Sequence, residues 1–108
     1  MEVNDQETGQ QKVRLDLNSP RFQQALFDIS KEHQRSVLNT LRKLSKMTWE
    51  QVHRDPGLHW EAIRSQCGPD GRKLYSFRIG KGFRGVGFRD GSWLAITSLH
   101  PDHNSAYL

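Results

Sequence analysis

The chain has 108 residues, which suits one domain with a modest core. Its one cysteine, Cys67, excludes an intrachain disulfide, a C-x-x-C site and a cysteine-based zinc finger. A net charge of +4 and a pI near 9.6 point to a polyanionic partner if the basic residues gather in one place. Met1 to Gln11 are polar, with no apolar run of the kind a secretion signal needs. No stretch approaches the ~20 apolar residues of a membrane span. With the lone thiol, this makes the cytoplasm the expected location. Residues 1–11 are expected to form a flexible tail ahead of a single domain over 12–108.

Val13, Leu15 and Leu17 alternate with Arg14 and Asp16, the period of a short strand. Asn18-Ser19-Pro20 reads as a helix start, with Ser19 as N-cap and Pro20 at the first helical position. Phe22, Ala25, Leu26 and Ile29 follow at helical spacing, and Val37, Leu38, Leu41 and Leu44 continue the stripe. One long helix or an αα-hairpin breaking near residues 30–34 satisfies that pattern; the hairpin is expected, because a small domain needs its second helix to fold back. Thr48 and Gln51 form a capping box for a further helical turn. Asp55-Pro56-Gly57 ends it. Residues 58–64 suit a strand with Leu58, Trp60 and Ala62 on one face, and Gly68-Pro69-Asp70-Gly71 a loop.

Residues 73–79, 83–89 and 92–99 are rich in aromatic and β-branched side chains and are separated by Gly80-Lys81-Gly82 and Asp90-Gly91. They predict an antiparallel meander. The fold class is therefore α+β, with an N-terminal helical hairpin packed on one face of a small, mainly antiparallel sheet. A three-residue loop at 80–82 sets Ile79 opposite Phe83 and Arg78 opposite Arg84. A two-residue turn at 90–91 sets Arg84 opposite Thr97, Val86 opposite Ala95 and Phe88 opposite Trp93. One face then carries Tyr75, Phe77, Ile79, Phe83, Leu94 and Ile96, with Gly85 and Gly87 leaving room for a helix. The other carries Ser76, Arg78, Arg84 and Thr97, beside Val86, Phe88 and Trp93. Two arginines directly opposite each other repel. At ~5 Å and an effective dielectric of ~20 the cost is about 3 kcal/mol, less where water reaches. A bound anion reverses that sign.

Gly80-Lys81-Gly82-Phe83-Arg84-Gly85 spells G-x-G-x-x-G, but a dinucleotide site needs that run to open a helix, and here more strand follows. His100, Asp102, His103, Asn104 and Tyr107 crowd the C-terminal end with groups that exchange protons. His100, Asp102 and His103 lack the helical or hairpin frame of a metal site, so no metal or cofactor is expected. His33, His53 and His59 are scattered and read as surface or satisfied core residues.

From Phe22 to Tyr107 the chain resembles the RelE/ParE superfamily of toxin–antitoxin toxins. The resemblance rests on the helical pair bearing Leu41-Arg42-Lys43-Leu44, on Asp55-Pro56-Gly57-Leu58, on the strand pair Tyr75-Ser76-Phe77-Arg78-Ile79-Gly80 with Phe83-Arg84, and on the final segment from His100 to Tyr107. It implies a sheet with helices on one face and a groove on the other. It implies a metal-independent endoribonuclease acting on mRNA, in association with the ribosome, and a cognate antitoxin as partner. Arg84 matches the phosphate-binding arginine after the hairpin, Arg78 the basic strand position before it, and Tyr107 the C-terminal tyrosine. His103 falls where catalytic basic residues lie, although Pro101-Asp102-His103 replaces a run richer in arginine. Lys81, Lys73 and His100 complete the expected substrate-binding set. A basic groove lined by Trp93, Phe88 and Val86 is expected to take an acidic or amphipathic antitoxin segment. The alternatives are a non-enzymatic gyrase inhibitor of the ParE kind and a nucleic-acid-binding module without catalysis.

Overall fold

The computed structural model describes residues 6–101. Within them the elements run β1 (Arg14–Asp16), α1 (Pro20–Asp28), α2 (Lys31–Ser45), α3 (Trp49–Arg54), β2 (Glu61–Cys67), β3 (Lys73–Gly80), β4 (Phe83–Asp90) and β5 (Trp93–His100). The strands form one sheet in the order β1-β5-β4-β3-β2. Its pairs are antiparallel except β1 with β5. No helix among the described residues is long and apolar enough to cross a membrane.

Each helix starts where a side chain can take its orphan N–H groups. Ser19 Oγ accepts from the Phe22 N–H, with Pro20 at the first helical position. Ser30 Oγ accepts from the His33 N–H and so begins α2 just where α1 ends. That cap decides between one long helix and two. At α3 both halves of the Thr48–Gln51 capping box are made. Phe22, Val37, Leu41, Leu44, Trp49 and Val52 from the helices meet Phe77, Phe83, Leu94, Ile96 and Leu99 from the sheet in one core. Each such side chain contributes roughly 1.5–3 kcal/mol by leaving water. A second, smaller cluster of Ile63, Leu74 and Val86, with Phe88 against it, lies on the opposite face.

Four details depart from the pattern read in the sequence. Strand β2 starts at Glu61 rather than residue 58, because His59 has φ of 50° and interrupts the extended backbone. Gly85 does not make room for a helix: the Phe77 ring crosses it, and a Cβ there would lie 2.4 Å from Phe77 Cζ. Gly87 instead meets the Ala95 carbonyl oxygen, 2.4 Å from where its Cβ would stand. Residues 7–11, within the expected flexible tail, are hydrogen-bonded to the domain. Glu7 Oε2 accepts from the Gly91 N–H at 3.1 Å, the Thr8 carbonyl from Arg89 Nη2 at 2.7 Å, and the Gln11 carbonyl from the Trp49 N–H at 2.9 Å.

The meander keeps its strands but shifts its register. Gly80 pairs with Phe83 and Ile79 is the extra residue, so Arg78 still faces Arg84. At the second turn Asp90 pairs with Trp93, and Gly91 and Ser92 are the central residues. Gly91 has φ of 64° while Ser92 has no positive φ, the combination of a II′ turn. Ser92 is buried and anchors the turn: its carbonyl accepts from Trp49 Nε1 and the Arg14 N–H, its hydroxyl from Arg14 Nε. Farther along, Val86 pairs with Ser98 and Gly87 with Ile96, which leaves Thr97 as a bulge. Arg84 therefore faces His100, not Thr97; Phe88 faces Ala95, not Trp93; and Val86 faces Ser98, not Ala95. Gly85→Ala is expected to destabilise the fold by roughly 1–3 kcal/mol, since the Phe77 ring has to leave its place. Urea denaturation checks this; a wild-type midpoint would mean that the ring does not need the gap.

Candidate functional site

Arg78, Arg84 and His100 stand side by side on three neighbouring strands, paired through β3–β4 and β4–β5. Paired residues share a face, so all three side chains leave the sheet on the side away from the helices. Neither guanidinium finds an acceptor among the described residues. Arg78 is exposed. Arg84 is half-buried, and its Nε and Nη1 are sealed from solvent without a hydrogen-bond partner. Buried donors left unpaired cost about 1–3 kcal/mol, more when charged. An anion at this place would satisfy the donors and relieve the repulsion between the two arginines together.

His100 closes the row. Its Nε2 lies 2.8 Å from Ser98 Oγ, the next residue on the same face of β5. Burial, and after it the charge of Arg21, hold the imidazole below its ordinary value of 6.5. At neutral pH it is uncharged and able to accept a proton. On the other flank, a cleft of about 660 Å³ runs from Arg84 to His59, Glu61, Arg64 and Ser65. His59 Nε2 lies 3.6 Å from Glu61 Oε1. The left-handed backbone at His59, which an L-residue adopts at a cost of order 1 kcal/mol, turns that imidazole towards the cleft edge. The Arg78 N–H donates to the Leu58 carbonyl at 2.7 Å, which ties this loop to the arginine strand. Sequence reasoning missed His59 and Glu61. The signal lay in the turn Asp55-Pro56-Gly57, which brings the chain back beside β3.

Lys81 sits in the β3–β4 turn, at the same end of the sheet as the arginines. Lys73 does not join them: it starts β3, roughly 17 Å from Arg78 at ~3.3 Å per residue. His103 and Tyr107, and with them Asp102, lie outside the described residues. The surface around Trp93 also differs from the basic groove expected there. Asp16 and Asp90 flank Trp93 and Phe88 in a cleft of about 330 Å³, Arg14 covers the Trp93 ring at 4.6 Å, and Val86 is buried in the small cluster. Among the described residues no group of three or more His, Cys, Asp or Glu could hold a metal ion.

No protein-family model matches the sequence, and no curated protein is significantly similar to it. Solved structures are. A chain in the crystal structure of the archaeal RelE–RelB complex from Pyrococcus horikoshii is 22% identical, with a TM-score of 0.58 over 83% of this chain and 94% of that one. A copper-bound mutant toxin from Helicobacter pylori is 19% identical, with a TM-score of 0.47 over 88% of this chain and 97% of that one. The chain thus shares the fold of the archaeal chain from the RelE–RelB complex, an α+β sheet with helices on one face.

Because the folded state holds His100 below 6.5, the unfolded chain binds the proton more tightly. The stability His100 contributes is complete above pH 6.5 and is lost as pH falls through the folded value. Titration of the His100 ring proton by NMR should give a midpoint below 6.5. Arg21→Gln should raise that midpoint without restoring it fully, because burial remains. A wild-type midpoint at or above 6.5 would mean that burial and Arg21 do not disfavour the charged ring.

Proposed function

We propose that the protein is the toxin of a toxin–antitoxin pair and cleaves mRNA on the ribosome without a metal ion or cofactor. The observation that carries this reading is the row Arg78–Arg84–His100 across three adjacent strands, two unpaired guanidinium groups beside a neutral imidazole. In this reading Arg84 and Arg78 grip the scissile phosphate, whose charge grows as the reaction proceeds. His100 takes the proton from the 2′-hydroxyl as that oxygen attacks phosphorus. The bond from phosphorus to the 5′-oxygen breaks, leaving a 2′,3′-cyclic phosphate. His59, on the far side of Arg84 and oriented by Glu61, gives the leaving oxygen its proton. Lys81 steadies the backbone near the turn. Through the family resemblance, Tyr107 stacks on a base and His103 exchanges protons with solvent.

The structurally similar archaeal RelE was crystallised with RelB. By analogy, the partner here is an antitoxin, and the uncompensated charge of Arg78 and Arg84 gives its acidic residues a place to bind. Occupying that row both silences the site and removes the repulsion, so antitoxin binding should raise the melting temperature.

Induction in bacteria followed by mapping of mRNA ends tests the reading, with new ends expected inside reading frames. Growth arrest without new ends would favour a gyrase inhibitor. Arg84→Ala should lower cleavage of ribosome-bound mRNA by on the order of 100- to 1000-fold. Its melting temperature should stay the same or rise slightly, since repulsion and two unsatisfied donors are removed. Arg84→Lys should recover only part of the rate, because an ammonium cannot form the bidentate fork. Full activity in Arg84→Ala would remove Arg84 from the site.

A further inference from the structure

A further cavity, of about 260 Å³, opens on the helix side of the sheet at the end away from the arginine row. Its aromatic wall is Tyr75 stacked on Trp60, with ring centres 4.7 Å apart and planes within 17°. Arg72, Lys73 and Arg89 supply positive charge, and Glu7 from the N-terminal segment is the one carboxylate in the lining. Arg72 pairs with Asp90 at 3.1 Å, and Arg89 donates to the Gly91 and Thr8 carbonyls. The Lys73 ammonium has no acceptor among the described residues. Burial, and then the charge of Arg89, hold the His53 imidazole in the same lining below 6.5.

We propose that this cavity is a second ligand site and takes a mononucleotide, with its phosphate on Lys73 and Arg72 and its base against the Tyr75–Trp60 wall. The volume lies just under the ~300–1,000 Å³ of sites for small organic ligands, so it exceeds the need of an inorganic anion and falls short of a peptide strand. Aromatic rings beside fixed cations are the combination that holds a base and a phosphate together. Glu7 lines the same cavity, its carboxylate accepting from the Gly91 N–H at 3.1 Å. As the one carboxylate in the lining, Glu7 opposes a bound phosphate. The site is separate from the proposed cleavage site and does not depend on it.

The test is calorimetric titration of the full chain with AMP, GMP, CMP and UMP, beside inorganic phosphate and the four nucleosides, in the Arg78→Ala/Arg84→Ala background. Saturable binding of at least one mononucleotide is expected there. Phosphate alone and nucleoside alone should both bind more weakly. Lys73→Gln should weaken binding roughly tenfold or more, and Glu7→Gln should tighten it. The proposal is overturned if no mononucleotide binds up to millimolar concentration, or if binding seen in the wild type vanishes when both arginines are removed. It is equally overturned if phosphate or nucleoside binds as tightly as the nucleotide, or if a glutamate-rich peptide binds in a Lys73-dependent way and the nucleotides do not.

Discussion

The pairing of β5 with β4 decides what stands beside Arg84. Thr97 is extra on β5, and an extra residue strands polar backbone groups unless something else takes them. Here the Thr97 hydroxyl donates to the Val86 carbonyl at 3.2 Å, and the Thr97 carbonyl accepts from Ser19 Oγ at 3.4 Å. Ser19 is also the cap of α1, so one serine joins the helix start to the bulge. Gly87 allows the strands to close there, since the Ala95 carbonyl occupies the space of a side chain. With the bulge, His100 lies opposite Arg84 and Leu99 turns into the core. Without it, the register set at the turn would put Leu99 opposite Arg84, and the imidazole would sit one residue farther along the strand.

The arginine row is maintained against its own repulsion by packing elsewhere. On the helix face, Phe77, Gly85 and Leu99 occupy the row of paired positions next to Arg78, Arg84 and His100, and Phe77 and Leu99 are buried in the main core. A frame fixed on that side keeps the two guanidinium groups together although they repel on the other. The two unpaired buried donors of Arg84, like-charge neighbours and a left-handed histidine gather at one end of the open face. Local disfavour of several kinds in one place is the pattern of a site arranged for a ligand.

Much of this was legible in the sequence because short-range chemistry fixes it. The caps at Ser19 and Thr48, the polar break at Ser30 and the glycine-marked turns each act within a few residues. The Arg78–Arg84 pairing survived because the extra residue at Ile79 falls between that pair and the turn. What could not be read depends on contacts distant in sequence. The turn at Gly91-Ser92 is held by Arg14 and Trp49, and the bulge at Thr97 by Ser19 and Val86. A two-residue turn drawn at Asp90-Gly91 was locally reasonable and moved every later pairing on β5. His59 read as a scattered histidine because only the fold brings the segment after Gly57 alongside β3.

The central claim is that Arg84, flanked by Arg78 and His100, receives the phosphate that reacts. The most direct measurement is a structure of the full chain with a short RNA carrying 2′-O-methyl groups, which binds but cannot cleave. The account predicts a phosphate within hydrogen-bond distance of the Arg84 guanidinium, with the blocked 2′-oxygen turned towards the His100 ring. A phosphate bound on the helix side of the sheet, or an RNA that leaves Arg84 without a contact, would contradict it.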